Sequence, residues 1–222
     1  DPETGAPIYS HAPGSPELLA VGKAARELAA ADPGNIQDPA ESLAFWINVY
    51  NSLTIHALAV HQVRETVWEV PGFFDRVAYR IAGLRFALND VEHGILRANR
   101  PELLSRRPRF PPDDPRFRFA VPSRARDPRV HFALNCGSRS CPPIGQYEGT
   151  LLDAQLDAAA RSFLLAETEV NGYTVTTSSL LNWYGADFGE LVSFLAGYLP
   201  EVAALPARRV RLRFRAYDWS VG

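Results

Sequence analysis

An α+β fold, with a small, mostly antiparallel sheet packed against a buried central helix and further helices, is what this sequence predicts, and three observations predict it. Residues 39–60 are apolar nearly all round a helical stretch, the pattern of a helix buried inside a domain. Two short runs with partial alternation turn at Gly83 and at Asn171-Gly172, residues that suit hairpins. The chain has 222 residues, 46% hydrophobic and 22% charged, which is the size and balance of one folded domain rather than a disordered or fibrous chain.

Taken in order, residues 1–16 hold four prolines and two glycines and are expected to form an irregular arm, with a single α+β domain over 17–222. Residues 17–31 space Leu18, Leu19, Val21, Ala25 and Leu28 as a helix, which Asp32-Pro33-Gly34 stops. The helix at 39–60 follows. Its polar residues Asn48, Asn51 and His56 must bond to neighbours or line a cavity. A hairpin is expected over 76–88. Next, Asn89 and Glu92 have capping-box spacing for a helix over 90–99. Seven prolines between 101 and 128 predict a long surface loop with one short strand near 117–121. Residues 129–135 alternate, which predicts a strand running into a site. A helix at 151–166, a hairpin at 169–177, a helix at 185–198 and a strand at 209–214 complete the reading, with no internal repeat.

A net charge of −2 supplies no broad positive field, so no nucleic-acid partner is expected. The longest apolar stretches, near 53–60 and 151–165, are interrupted by His56 or by acids, and no integral membrane segment is expected. The chain starts at Asp1 and contains no methionine, from which a removed leader and an extracytoplasmic location, periplasmic or secreted, are expected.

The chemistry-bearing stretch is Asn135-Cys136-Gly137-Ser138-Arg139-Ser140-Cys141-Pro142-Pro143. A thiolate is a strong nucleophile once a neighbouring His or backbone N–H groups lower its pKa, and the amides of Gly137 and Ser138 are candidate oxyanion donors. Cys136, at the end of the expected strand, is the candidate nucleophile. The competing reading is a Cys136–Cys141 disulfide in a non-catalytic ligand- or peptide-binding module. Two cysteines without further suitably spaced ligands do not make a zinc site, and neither metal nor cofactor is expected. His131 would lie about 16 Å from Cys136 along an extended strand, so His93, on the capped helix, is the candidate base, with Glu92 to orient it. For Glu92 the alternative is the cap itself. Asn48, Asn51, His131 and Asn135 are candidate pocket-lining groups, or else a structural hydrogen-bond network.

Five ordered stretches carry a family resemblance: AFWINVYNSLTIHAL (44–58), LNDVEHGILR (88–97), HFALNCGSRSCPPI (131–144), LLNWYGADFG (180–189) and YDWS (217–220). Together they resemble the bacterial family catalogued as domain of unknown function 547. That resemblance implies a frequently exported protein with a papain-like or transglutaminase-like cysteine-hydrolase relationship. Because His93 precedes Cys136, that relationship requires a permuted arrangement or a different His. The expected function is a cysteine-dependent hydrolase or acyltransferase acting on a small amide or peptide ligand, with Cys136 as nucleophile and His93 as base.

Overall fold

The long apolar helix organises everything around it. In the computed structural model, which describes residues 14–101, 107–123 and 126–221, it runs Pro39–Val60, with Asp38 accepting from the amides of Ala40 and Glu41 and Pro39 at the first turn. That combination of acceptor side chain and proline is a strong helix start. By length and composition this helix would cross a bilayer, contrary to the reading of its apolar run as too short. Two-thirds of its most apolar window is instead covered by the rest of the chain, as in a core helix. Trp46, Ile47 and Leu58 are wholly buried, and burial of side chains like the last two contributes about 1.5–3 kcal/mol each.

Around it the elements run α1 (Pro16–Glu27), α2 (Pro39–Val60), α3 (Phe73–Arg76), β1 (Ala78–Ile81), β2 (Leu84–Ala87), α4 (Leu152–Glu167), β3 (Glu169–Asn171), β4 (Thr174–Ser178), α5 (Ser179–Trp183), α6 (Gly185–Phe188), α7 (Leu191–Tyr198), α8 (Pro200–Ala203) and β5 (Arg211–Arg215). β1 and β2 form an antiparallel hairpin whose turn residues, Ala82 and Gly83, both have positive φ, as a tight hairpin turn requires. The turn amides donate to the carbonyls of Leu28 and Ala29 beyond α1. The second sheet pairs β3 with β4 antiparallel and β4 with β5 parallel. The fold is therefore mixed α+β with two small sheets rather than one. Of the expected N-terminal arm, residues 1–13 lie outside the described residues, and Pro16 already opens α1.

Four expectations need correction. Residues 129–135 do not form a strand: Pro128–Phe132 is a 3-10 helix, because Asp127 accepts from the amide of Arg129 and Pro128 presets the first turn. The stretch near 117–121 is likewise helical, Pro115–Phe119 with Asp114 as cap. The described part of the proline-rich region is anchored rather than superficial. Buried Asp90 accepts from Arg109 at 2.6 Å and Arg116 at 2.8 Å, Asn99 bonds both backbone groups of Phe110, and Phe119 packs on Trp46. Finally, the helix expected over 185–198 breaks at Gly189 (φ +71°) and restarts with Glu190 accepting from Val192 and Ser193.

The Asn89–Glu92 capping box does not form either. Asp90–Leu96 is a π-helix, Asn89 makes no cap bond and donates instead to Asp75, and Glu92 faces inward. Gly94 is required there, since a Cβ would sit 2.2 Å from the Phe110 ring. π-Helical turns rotate side chains off the ordinary helical register and recur at functional sites.

Candidate functional site

Asn48 and Asn51 stand three residues apart on one face of α2, and each clamps a remote stretch of backbone. Asn48 donates to the Tyr147 carbonyl at 2.7 Å and accepts from the Tyr147 amide at 3.0 Å. Asn51 donates to the Ala133 carbonyl at 2.8 Å and accepts from the Asn135 amide at 2.9 Å. Together they pin both ends of the segment 133–147, which carries the two cysteines. Within it Asn135 bonds the Pro142 carbonyl and the Gly137 amide, each at 2.7 Å. These three asparagines are thus structural clamps and do not line the cavity described below, and the Gly137 amide is engaged by a side chain instead of facing a ligand. Gly137 has φ +87°, and a Cβ would lie 2.3 Å from Leu58, so the chain passes directly over α2.

The segment is stitched on its other side by the C-terminal residues. Arg139 donates to the Ser220 carbonyl, Asp218 donates to Ser140 Oγ, and Ser138 bridges to Val221. This run brings the Tyr217 hydroxyl to the sulfurs and places Trp219 beside them in the lining of one cavity.

Cys136 and Cys141 are free thiols, each partly exposed. Their surroundings differ. Cys141 Sγ accepts from the Cys136 backbone N–H at 2.9 Å, and lies 3.3 Å from Ser138 Oγ and 3.2 Å from the Tyr217 hydroxyl. Cys136 Sγ has the same two hydroxyls at 3.3 and 3.5 Å but no backbone donor. Burial alone would raise the Cys141 pKa. The bonds from the Cys136 thiol, the two hydroxyls and the amide outweigh it and bring Cys141 down to about 6. Cys136, sharing its proton with that sulfur and buried, is pushed well up. The thiol with the backbone donor and the depressed pKa is therefore Cys141, whereas the sequence pointed to Cys136.

Both sulfurs line a cavity of about 180 Å³ together with Tyr50, Glu92, His131, Trp183 and Tyr184. Since residues 128–132 are coiled rather than extended, the 16 Å separation that argued against His131 does not apply. His131 Nε2 lies 2.9 Å from Asp187 Oδ2, and its ring stacks on Tyr184 at 3.9 Å and 16°. Burial lowers the His131 pKa despite the neighbouring carboxylate; in its neutral form the ring donates from Nε2 to Asp187 and keeps its Nδ1 lone pair. Asp187 also accepts from Arg97 Nε at 2.6 Å and Arg100 Nη1 at 2.7 Å. Burial opposes its ionisation, but the bonds from His131 and Arg97 hold its carboxyl far below the usual range.

His93 does not line this cavity. It lies behind Glu92, with Nδ1 accepting from Arg97 at 2.9 Å. Glu92 does line it, and rather than orienting His93 through a direct bond seen here, it accepts from the hydroxyls of Tyr50 at 3.1 Å and Tyr184 at 2.5 Å. Burial raises its pKa, yet the charges of His93, His131 and Arg97 and the Tyr184 bond bring it below the ordinary value. Of the residues expected from sequence, Cys136, Glu92 and His131 share the cavity, and Ser138 bonds both of its sulfurs. Asp187, Tyr184, Tyr217 and Trp219 were not anticipated, although they fall in the stretches 180–189 and 217–220. Among the described residues no group of three or more His, Cys, Asp and Glu is placed to hold a metal ion. A larger open groove of about 500 Å³ beside the start of α2 contains neither cysteine nor histidine.

A family model described as "Protein of unknown function, DUF547" matches residues 35–164, more than half the chain. That span includes α2, the π-helix and both cysteines, whereas Asp187, Tyr217 and Trp219 lie beyond it. No curated protein and no solved structure matches.

Proposed function

The chain belongs to the DUF547 family, and from that premise we propose that it is a thiol-dependent hydrolase or acyltransferase acting on a small amide or peptide, with Cys141 as the nucleophile and His131, held by Asp187, as the proton carrier. In this reading the Cys141 thiolate attacks the carbonyl carbon, the C–N bond breaks, and His131 passes a proton taken up from water to the leaving amine. Water, giving a proton to His131, or another acyl acceptor then cleaves the thioester and restores the thiolate. The observation that carries the reading is the convergence on one cavity of a thiol supplied with a backbone N–H donor and an imidazole fixed by a buried carboxylate. Chain order His, Cys, Asp is no obstacle, since such constellations work by geometry. A papain-like or transglutaminase-like ancestry is compatible with these roles. The extracytoplasmic location belongs to the same proposal.

Intact-mass trapping tests it. With an activated acyl donor at pH 7, the wild type is expected to gain one acyl group mapped to Cys141 and to release it on addition of an amine or on standing in water. Cys141→Ala should do neither. Retained turnover in Cys141→Ala ends the proposal. A count of no titratable thiols in the native protein would favour instead a bridged, non-catalytic binding module.

A further inference from the structure

We infer that the thiol cavity recognises a cation, an alkylammonium or guanidinium group of side-chain size carried by the substrate. This deepens the thiol-dependent reading and rests on it for the reaction, though not for the binding itself.

The cavity's walls are aromatic to an unusual degree. Trp68, Trp183 and Trp219, three of the chain's four tryptophans, line it with Tyr217 and Phe74. They form a connected cluster, with ring centroids 4.8 Å apart for Trp68–Trp219, 4.7 Å for Tyr217–Trp219 and 4.8 Å for Trp183–Tyr217. Trp68 is 51% exposed, so the cluster reaches solvent at the mouth instead of closing as core. Indole faces carry partial negative charge and attract ammonium and guanidinium groups.

The charges inside agree. Glu92, only 8% exposed, supplies a carboxylate whose bonded partners on the cavity side are tyrosine hydroxyls. Cys141 supplies the sulfur that collects three donors. The chain holds 23 Lys and Arg residues, yet among the described residues none of those lining the cavity is either. Arg97, the guanidinium behind Glu92, is engaged by Asp187. An anionic ligand would meet a carboxylate and an electron-rich sulfur with no Lys or Arg among the described lining residues, and a neutral one would leave both acceptors facing the cavity without a cationic partner. A cation compensates both. The volume of about 180 Å³ is below the roughly 300 Å³ at which pockets for whole small molecules begin, so it fits one charged side chain or headgroup.

The test uses three short-chain probes of different charge, n-butylammonium, 1-pentanol and pentanoate, titrated into the full chain at pH 7. Two signals are followed: tryptophan fluorescence and protection of the thiols from iodoacetamide. Butylammonium alone is expected to saturate both signals in the millimolar range. Glu92→Gln should weaken it by about tenfold or more, and Trp219→Leu, which keeps the carboxylate, by several-fold. If Glu92→Gln fails to fold, Trp219→Leu decides. Equal binding of pentanol, preference for pentanoate, or no saturation by butylammonium overturns the inference. Reactive thiols without cation binding would sink this inference and leave the hydrolase reading intact. Saturable cation binding with inert thiols would do the reverse.

Discussion

His131 and Tyr184 form a thin wall with very different surroundings on its two sides. Behind it, a small pocket is lined by Arg97, Arg100, Arg126 and Asp187, and there Asp187 is paired with Arg97 at 2.6 Å and with Arg100 at 2.7 Å. In front, the sulfur cavity has aromatic rings, hydroxyl donors, one carboxylate and no arginine among its described lining residues. The back holds the imidazole through charge pairs that are costly to break, whereas the front tunes reactivity through single bonds that are cheap to remove. Substitutions behind the wall should therefore cost stability, and substitutions in front should cost reactivity while leaving the fold in place.

The largest effect expected is from Asp187→Ala, which leaves Arg97 and His131 buried without their acceptor. Breaking such a pair from one side costs about 3–5 kcal/mol, readable as a drop in the denaturant midpoint. The pH dependence follows from the depressed Asp187 pKa. Its contribution is fully present above the unfolded-state value near 3.9 and is lost as pH falls through the lower folded value, so wild type should weaken below about pH 4. A variant with an unchanged midpoint would show that the back of the wall is not structural.

Next in size is Asn51→Ala. It unties the cavity's cysteine segment from α2 by removing two buried backbone bonds, at an expected cost of about 2–3 kcal/mol. Asn48→Ala, at a less buried position, should cost about 1–2 kcal/mol. Chemical denaturation of both variants checks the order. An Asn48 loss exceeding that of Asn51 would contradict the clamp ranking.

These clamps mark where the sequence stops being legible. α2, the two hairpins and α4 were readable because their signals are local: Asp38-Pro39 at a helix start, Gly83 and Asn171-Gly172 at turns. The polar residues of α2 were readable as needing partners, but not which partners, because Asn51 bonds across 82 and 84 residues. Residues 129–135 misled for a different reason. Their alternation is genuine, but Asp127-Pro128 is a competing helix start, and the helix start prevailed. That error also removed His131 from contention. Its hydrogen-bond partner, Asp187, is 56 residues away, and Tyr217 is 76 residues from Cys141. No periodicity encodes such separations.

On the front side, Cys141→Ser should slow iodoacetamide alkylation at pH 7 by about tenfold or more, since it removes the sulfur that holds the backbone N–H donor and leaves Cys136, whose burial still opposes ionisation. Cys136→Ser retains a donor to the remaining sulfur and should keep most of the rate. Peptide mapping after brief labelling decides between them. Preferential labelling of Cys136 would restore that residue as the nucleophile.

The smallest effect, and the sharpest test of the front side, is Tyr217→Phe. The hydroxyl lies 3.2 Å from Cys141 Sγ and 3.5 Å from Cys136 Sγ, while the ring packs on Trp183 and Trp219. Phenylalanine preserves that packing and deletes only the donor, so the denaturant midpoint should barely move. A hydrogen bond to a charged acceptor contributes about 1.5–3 kcal/mol, but the Cys136 amide and Ser138 Oγ remain and share the compensation. A rise of about one unit in the Cys141 inflection is therefore expected, from about 6 towards neutrality. Loss of a donor to the thiolate can only raise its pKa, so the sign is fixed even if the size is not. Alkylation should fall to about half at pH 7 and stay at the wild-type rate at pH 9, where both proteins are ionised. A downward shift, or an equal loss at both pH values, would mean that the tyrosine acts through packing rather than through its proton.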